Sequence, residues 1–266
     1  MIISTVHLKL STKLSTRVDV KPSPVVAAFS SRGPNIVTPE ILKPDLIAPG
    51  VNILAAWTDA KGPTGLDIDK RKVLFNIISG TSMPCPHVSG LAALVKAAHP
   101  QWRLAAIRSA LMTTAYSTYE DESPLLDLAT GSASNPFDHG KTTKFRCDPG
   151  KLYSVNDLNY PSFAATIPSS ANCKTTVVFR RTLTNVGENG LTYRVSISSP
   201  RRAAMISVTP KTLVFRQKNE VKAYMLKVVA AHMWLGTNAF GRIEWSDGNN
   251  VVASPVADSW INATQD

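Results

Sequence analysis

The hydrophobic pattern changes its period once along the chain, and that change bounds what the chain can fold into. Up to about Ala115, apolar runs of strand length alternate with stretches at helical spacing; after Asn159 only strand-length runs remain. Val25–Phe29, Ile53–Trp57 and Val73–Ile78 read as strands, the first and last nearly continuous in apolar residues, as strands covered on both faces are. Between Met83 and Ala98, the residues Val88, Leu91, Leu94, Val95 and Ala98 recur at helical spacing, with Gly90, Ala92, Ala93 and Ala97 between them. Neighbours can approach such a helix closely on nearly every side, so a buried central helix is predicted. A second helix, Leu104 to Thr114, follows Pro100 and places Ile107, Leu111 and Ala115 on one face. Strands alternating with helices predict a parallel α/β layer.

From Ser117 to Ser154 the pattern dissolves into Ser, Gly, Pro, Asp and Lys, a loop and linker stretch. Beyond Asn159, Thr176–Val186, Leu191–Ser198, Met205–Val208, Thr212–Phe215, Val221–Val229, Phe240–Trp245 and Val251–Ile261 are rich in Val, Thr, Phe and Tyr. Turn residues separate several of them, as at Gly187-Glu188-Asn189-Gly190 and Asp247-Gly248-Asn249-Asn250. Such a run of strands predicts an antiparallel β-sandwich. At 44% apolar and 18% charged residues the chain can build a packed core, which excludes wholesale disorder. No window reaches the roughly 18 unbroken apolar residues of a membrane span, so no membrane partner is predicted. The start, MIISTVHLKLSTK, has no basic stretch ahead of a long apolar run and does not read as a signal peptide.

One stretch carries chemistry: Ser79-Gly80-Thr81-Ser82-Met83-Pro84-Cys85-Pro86-His87-Val88-Ser89-Gly90. A strand ends, a glycine-containing turn follows, and Ser82 sits at the mouth of the central helix. Unpaired N–H groups and the positive end of the helix dipole face whatever Ser82 attacks, and can stabilise an oxyanion there. Ser is also a good N-cap, so position alone leaves a capping role equally open.

The string closely resembles the nucleophile motif of subtilisin-like serine proteases, Gly-Thr-Ser-Met followed by a small residue, Cys- or Thr-Pro-His and a helix. Val25–Asn35, Ile41–Leu54 and Ser109–Ala115 resemble the plant branch of that family. Leu158–Phe163, Thr184–Gly187 and Glu244–Gly248 resemble the fibronectin type III-like domain that closes plant subtilases. The resemblance implies a partial subtilisin-like α/β layer over residues 25–140, a linker over 141–157 and an all-β fibronectin type III-like sandwich over 158–266. Residues 1–24 look like the end of the protease-associated domain inserted between the catalytic His and Ser of plant members.

The resemblance further implies a secreted serine endopeptidase acting on protein or peptide substrates, extracellular in the apoplast or cell wall, through an Asp–His–Ser triad and with no cofactor or metal. Carried over residue by residue, only Ser82 matches a triad position, with its backbone N–H as one oxyanion donor. The family order is Asp, His, Ser, and His7, the one upstream histidine, lies in a strand-like Val6-His7-Leu8-Lys9-Leu10 without the family's flanking glycines. The upstream Asp, the catalytic His and the oxyanion Asn are therefore expected to be missing from these residues, which keeps a catalytically silent fragment or pseudoenzyme, acting as a binding module, as the alternative. Pro84 stands where the family has a small residue, and Trp102-Arg103-Leu104 replaces Trp-Ser-Pro. After Gly140, a Gly-His-containing loop of the family is missing.

The remaining residues take plainer roles. His87 reads as a hydrogen-bonded core histidine, and His99 as the end of the central helix, where a cation suits the dipole. His139 matches a family string without a chemical role, and His232 falls in the sandwich. Cys85, Cys147 and Cys173 allow at most one internal disulfide, with the pairing of Cys147 and Cys173 undecided, and no Cys-x-x-Cys or His–Cys cluster suggests zinc. Asn262-Ala263-Thr264 is a sequon. The net charge of +10 concentrates in Lys141–Lys227, where 15 basic face 4 acidic residues. A solvated basic face and attraction to acidic cell-wall polysaccharide both fit it. Nucleic acid is set aside, because basic and aromatic residues do not interleave in a recognisable module.

Overall fold

The computed structural model describes residues 21–138, 155–169, 174–199 and 203–262. Its described part is mostly β-strand with two helices. In chain order these are β1 (Val25–Val26), β2 (Ile53–Ala56), β3 (Phe75–Ile78), α1 (Pro84–Ala98), α2 (Leu104–Thr113), β4 (Leu126–Asp127) and β5 (Ser132–Ala133). There follow β6 (Phe163–Pro168), β7 (Thr175–Thr184), β8 (Leu191–Ser198), β9 (Ala204–Thr209), β10 (Thr212–Phe215), β11 (Val221–Ala230), β12 (Asn238–Ser246) and β13 (Val251–Ile261). Two compact units divide the chain: Met1–Ser31, Leu46–Ile107 and Ala115–Ser134 form one, and Arg32–Asp45, Arg108–Thr114 and Asn135–Asp266 the other.

In the first unit β1 pairs in parallel with β4, and β4 antiparallel with β5. Val25, Val26 and Leu125 are buried there, as is Asp127, whose carboxylate accepts from the Ala129 N–H and the Thr130 hydroxyl, each at 3.0 Å. The predicted parallel layer is corrected at its centre: β2 and β3 pair antiparallel, Ile53 opposite Ile78 and Ala56 opposite Phe75. Parallel neighbours need a crossover, usually a helix, whereas residues 57–74 return as a loop of turns around Gly62 and Gly65. Nor is β3 covered on both faces, since Phe75 and Ile77 are exposed. The central helix forms at the predicted place but is not buried; no residue of α1 is. Its small residues permit close approach, but no described element packs over it. Of the face predicted on α2, Ile107 is buried; Met112 and Thr113, also buried, belong to the second unit.

The second unit contains a two-sheet sandwich. A five-stranded sheet runs β10-β8-β12-β13-β6 and a three-stranded sheet β7-β11-β9. All pairings are antiparallel except β13 with β6, which corrects the wholly antiparallel expectation. Alternate residues of both sheets meet in one core, with Phe163, Phe179, Leu226, Ile243, Val256 and Trp260 almost fully buried. β6 adds a strand to the seven predicted ones. The outer side of β6 and β13 is not left to solvent. Leu42 and Phe137 pack against Ala164, Ala257 and Phe240. Nearby, Tyr160 donates its hydroxyl hydrogen to Asp45, and Lys43 donates to both. Burial, followed by the Asp45 hydrogen bond, holds the Tyr160 phenol well above its ordinary range.

Candidate active site

The site is a turn between a strand and a helix. β3 ends at Ile78, and the chain turns through residues 79–83 into α1. Three contacts fix that bend: Gly80 N–H donates to the Gly50 carbonyl at 2.8 Å, Met83 N–H to the Gly80 carbonyl at 3.2 Å, and Asn52 N–H to Ser79 Oγ at 2.8 Å. Asn52 holds φ at 53°, a left-handed conformation that Asn tolerates. Gly50 leaves little room for a side chain. A Cβ there would lie 3.1 Å from the Gly80 carbonyl oxygen and 3.1 Å from Pro84 Cγ. Sequence reasoning included Gly50, Asn52 and Ser79 in the matching strings without giving them a role, because their function is a contact across about thirty residues.

Ser82 lies exposed on this turn. The N-cap position of α1 belongs to Met83, and no side chain caps the helix, so the Ser82 hydroxyl is not used as a cap. Among the described residues no imidazole or carboxylate is hydrogen-bonded to it. The helix end behind it is unusual. Of the four backbone positions that begin a helix without intrahelical acceptors, Pro84 and Pro86 have no N–H, and Met83 already donates to Gly80. Cys85 keeps its own, as does Ser82 just ahead of the N-cap. The first turn carries no acidic side chain, so the positive end of the dipole is not neutralised from within. Together these leave the Ser82 hydroxyl near two backbone N–H groups at the positive end of a helix, an arrangement suited to attack on a carbonyl and to holding the oxyanion that forms.

The histidines fall apart from Ser82 in role. His87 has Nδ1 2.9 Å from the Met83 carbonyl, which makes Nδ1 the protonated nitrogen; it is hydrogen-bonded as expected, but only half-buried on a helix with no buried residue, so it is not a core histidine. His99 is the C-cap residue of α1, stacked on Trp102 at 4.1 Å. His232 is exposed in the loop after β11. His7, His139, Cys147 and Cys173 lie outside the described residues, and Cys85 is an exposed free thiol. Among the described residues no cluster of His, Cys, Asp and Glu could hold a metal ion.

The subtilase family matches residues 10–146, and the fibronectin type-III domain matches residues 157–257. Subtilisin-like protease SBT1.7 of Arabidopsis thaliana is 54% identical over 93% of this chain and 37% of its own length. Subtilisin-like protease SBT1.4 of the same plant is 44% identical over 90% of the chain and 37% of its own length. A soybean relative, subtilisin-like protease Glyma18g48580, is 38% identical over 89% and 34%. The chain thus spans little more than a third of the length of these relatives.

Proposed function

Because the chain belongs to the subtilase family, we propose that it supplies the nucleophile-bearing part of a secreted serine endopeptidase, with Ser82 attacking the scissile peptide carbonyl. In this reading residues 25–140 are the C-terminal part of a subtilisin-like peptidase domain and residues 158–266 its closing fibronectin type III-like domain. The observation that carries it is the exposed, uncapped Ser82 hydroxyl on a turn pinned by Gly50 and Ser79, at the mouth of a helix.

Each step has a named requirement. Ser82 Oγ must lose its proton as it bonds to the carbonyl carbon, so an imidazole base has to reach it, oriented by a carboxylate. The carbonyl oxygen becomes an oxyanion, held by the Ser82 N–H and the dipole of α1. The returning proton then leaves with the amine, and water repeats the sequence on the acyl-Ser82 ester. In the reading proposed, the imidazole and carboxylate come from a subtilase segment upstream of these residues. The uncovered α1 and the exposed Leu54, Phe75 and Ile77 favour a second reading for the 266 residues by themselves, a silent fragment. The basic stretch between Lys141 and Lys227 suits attraction to acidic wall polysaccharide, which salt-sensitive retention on pectate would support.

A chimera tests the proposal. The part of the 54%-identical Arabidopsis relative that precedes the match is joined to this chain and assayed on peptides. Cleavage by the chimera, lost in Ser82→Ala and absent from the unfused chain, is expected. A folded chimera that cleaves equally well with Ser82→Ala overturns the assignment.

A further inference from the structure

Strand β13 places an ionisable side chain in the core between the sheets. It lies between β12 and β6, and its residues alternate between the two sides of the sheet. Val256 and Trp260 point into the core between the sheets. Asp258 lies midway between them and shares their side. Its neighbours in register are Ala239 on β12 and Ala165 on β6, both members of the same core. The residue is 0% exposed, and among the described residues neither carboxyl oxygen has a hydrogen-bond partner.

Among the described residues no cation pairs with it. β6, β9, β10 and the rest of β13 contain no other charged residue. Arg242 and Glu244 of β12 pair with each other at 2.6 Å, and Arg194 of β8 is exposed. On β11, Lys227 is exposed and Lys222 pairs with Glu220 at 2.6 Å. On β7, Arg180 is exposed and pairs with Asp157 at 3.4 Å. The groups that do face the interior are Arg181 of β7, Tyr224 of β11 and, partly buried, Tyr193 of β8. Arg181 is committed elsewhere, donating to the carbonyls of Asn156, Tyr160 and Arg180 and lying 4.8 Å over the Phe163 ring. Tyr224 packs edge-on to Trp245.

An isolated carboxylate in such a place is far costlier than the neutral acid. We propose that the folded sandwich holds Asp258 protonated and that the unfolded chain releases this proton, so that acid tightens the domain and a rise through neutral pH loosens it. Burial alone pushes the Asp258 carboxyl from 3.8 up to about 7. The direction follows from proton counts. Below about 4 both states hold the proton, and the stabilisation is complete. Between about 4 and 7 only the folded state holds it, so the folding constant falls roughly tenfold per pH unit. Above 7 the carboxyl is ionised in both states and the loss is complete.

The test uses the full 266-residue chain and an isosteric neutral variant, Asp258→Asn. Urea unfolding is followed by the near-UV circular dichroism of the buried Trp245 and Trp260 at about pH 5.5 and about pH 8.5. The wild-type folding constant should fall about 30-fold more than that of Asp258→Asn across this interval. Division by the variant removes the titration of every other group. Equal pH dependence in the two proteins overturns the proposal. Infrared spectroscopy gives a second reading that needs no unfolding. A protonated-carboxyl C=O band at about pH 5.5, absent from Asp258→Asn and fading toward about pH 8.5, is expected from a carboxyl of this kind. Its absence at the lower pH also overturns the proposal. Neither readout involves Ser82, so failure here leaves the peptidase reading untouched.

Discussion

Truncating Trp260 should remove most of the sandwich's stability, although it is the penultimate residue of the last strand. Its side chain is 0% exposed, belongs to the core between the sheets, and donates its indole N–H to the Ala231 carbonyl at 2.9 Å. Trp→Ala in a core costs about 3–5 kcal/mol through lost transfer energy and the cavity left behind. Leaving the Ala231 carbonyl without its donor adds about 1 kcal/mol. The sum, about 5 kcal/mol, rivals the whole stability of a small domain. Trp234 supplies the control, since it sits at 84% exposure on the loop between β11 and β12. Trp234→Ala should stay within about 0.5 kcal/mol. Thermal unfolding followed by far-UV circular dichroism separates the two, because each kcal/mol moves the midpoint of a domain this size by about 4–8 °C. Trp260→Ala should therefore lower the midpoint by more than about 20 °C or leave the sandwich unfolded. Midpoints within a few degrees of each other would mean that β13 ends outside the core, and the assignment of its inward face, Asp258 included, would fall with it.

Gly50→Ala should disturb the Ser82 turn from a distance. The new Cβ, 3.1 Å from the Gly80 carbonyl and from Pro84 Cγ, has to displace one of them by a few tenths of an ångström. In the chimera, kcat/KM for peptide cleavage should drop about tenfold or more while the melting midpoint changes little; unchanged kinetics would show that the turn has slack. Tyr160→Phe removes the hydroxyl that bridges Asp45 and Lys43. A loss of about 1–2 kcal/mol is expected, seen as faster proteolysis within residues 32–45; unaltered cleavage there would show that Leu42 alone holds the segment down.

Local pattern carried some elements to the residue. β8, β10 and β13 occupy Leu191–Ser198, Thr212–Phe215 and Val251–Ile261, the spans that alternation and turn residues predict. β6 escaped, because Phe-Ala-Ala-Thr-Ile-Pro is buried on nearly every side and its short alanines show no alternation. Strand direction escaped too. The antiparallel return from β2 to β3 depends on what the intervening loop does not contain, and the runs themselves look alike either way. For α1 the pattern gave length and apolar face but not burial, since a helix is buried only if something covers it. Ser82 was legible because a strand end, a glycine turn and a helix start are contiguous. The support it receives from Gly50 is a tertiary contact, and the isolation of Asp258 is a property of two sheets. Neither leaves a local trace.

The central proposal is that Ser82 is the nucleophile and that its base comes from outside these residues. An organophosphonate that reacts only with an activated serine tests this directly, with the adduct located by peptide mass spectrometry. The account predicts no labelling of the 266-residue chain, and labelling of the chimera confined to the peptide containing Ser82 and abolished by Ser82→Ala. Labelling of the unfused chain at Ser82 would contradict the missing base. Labelling of the chimera on any other serine would contradict the nucleophile itself.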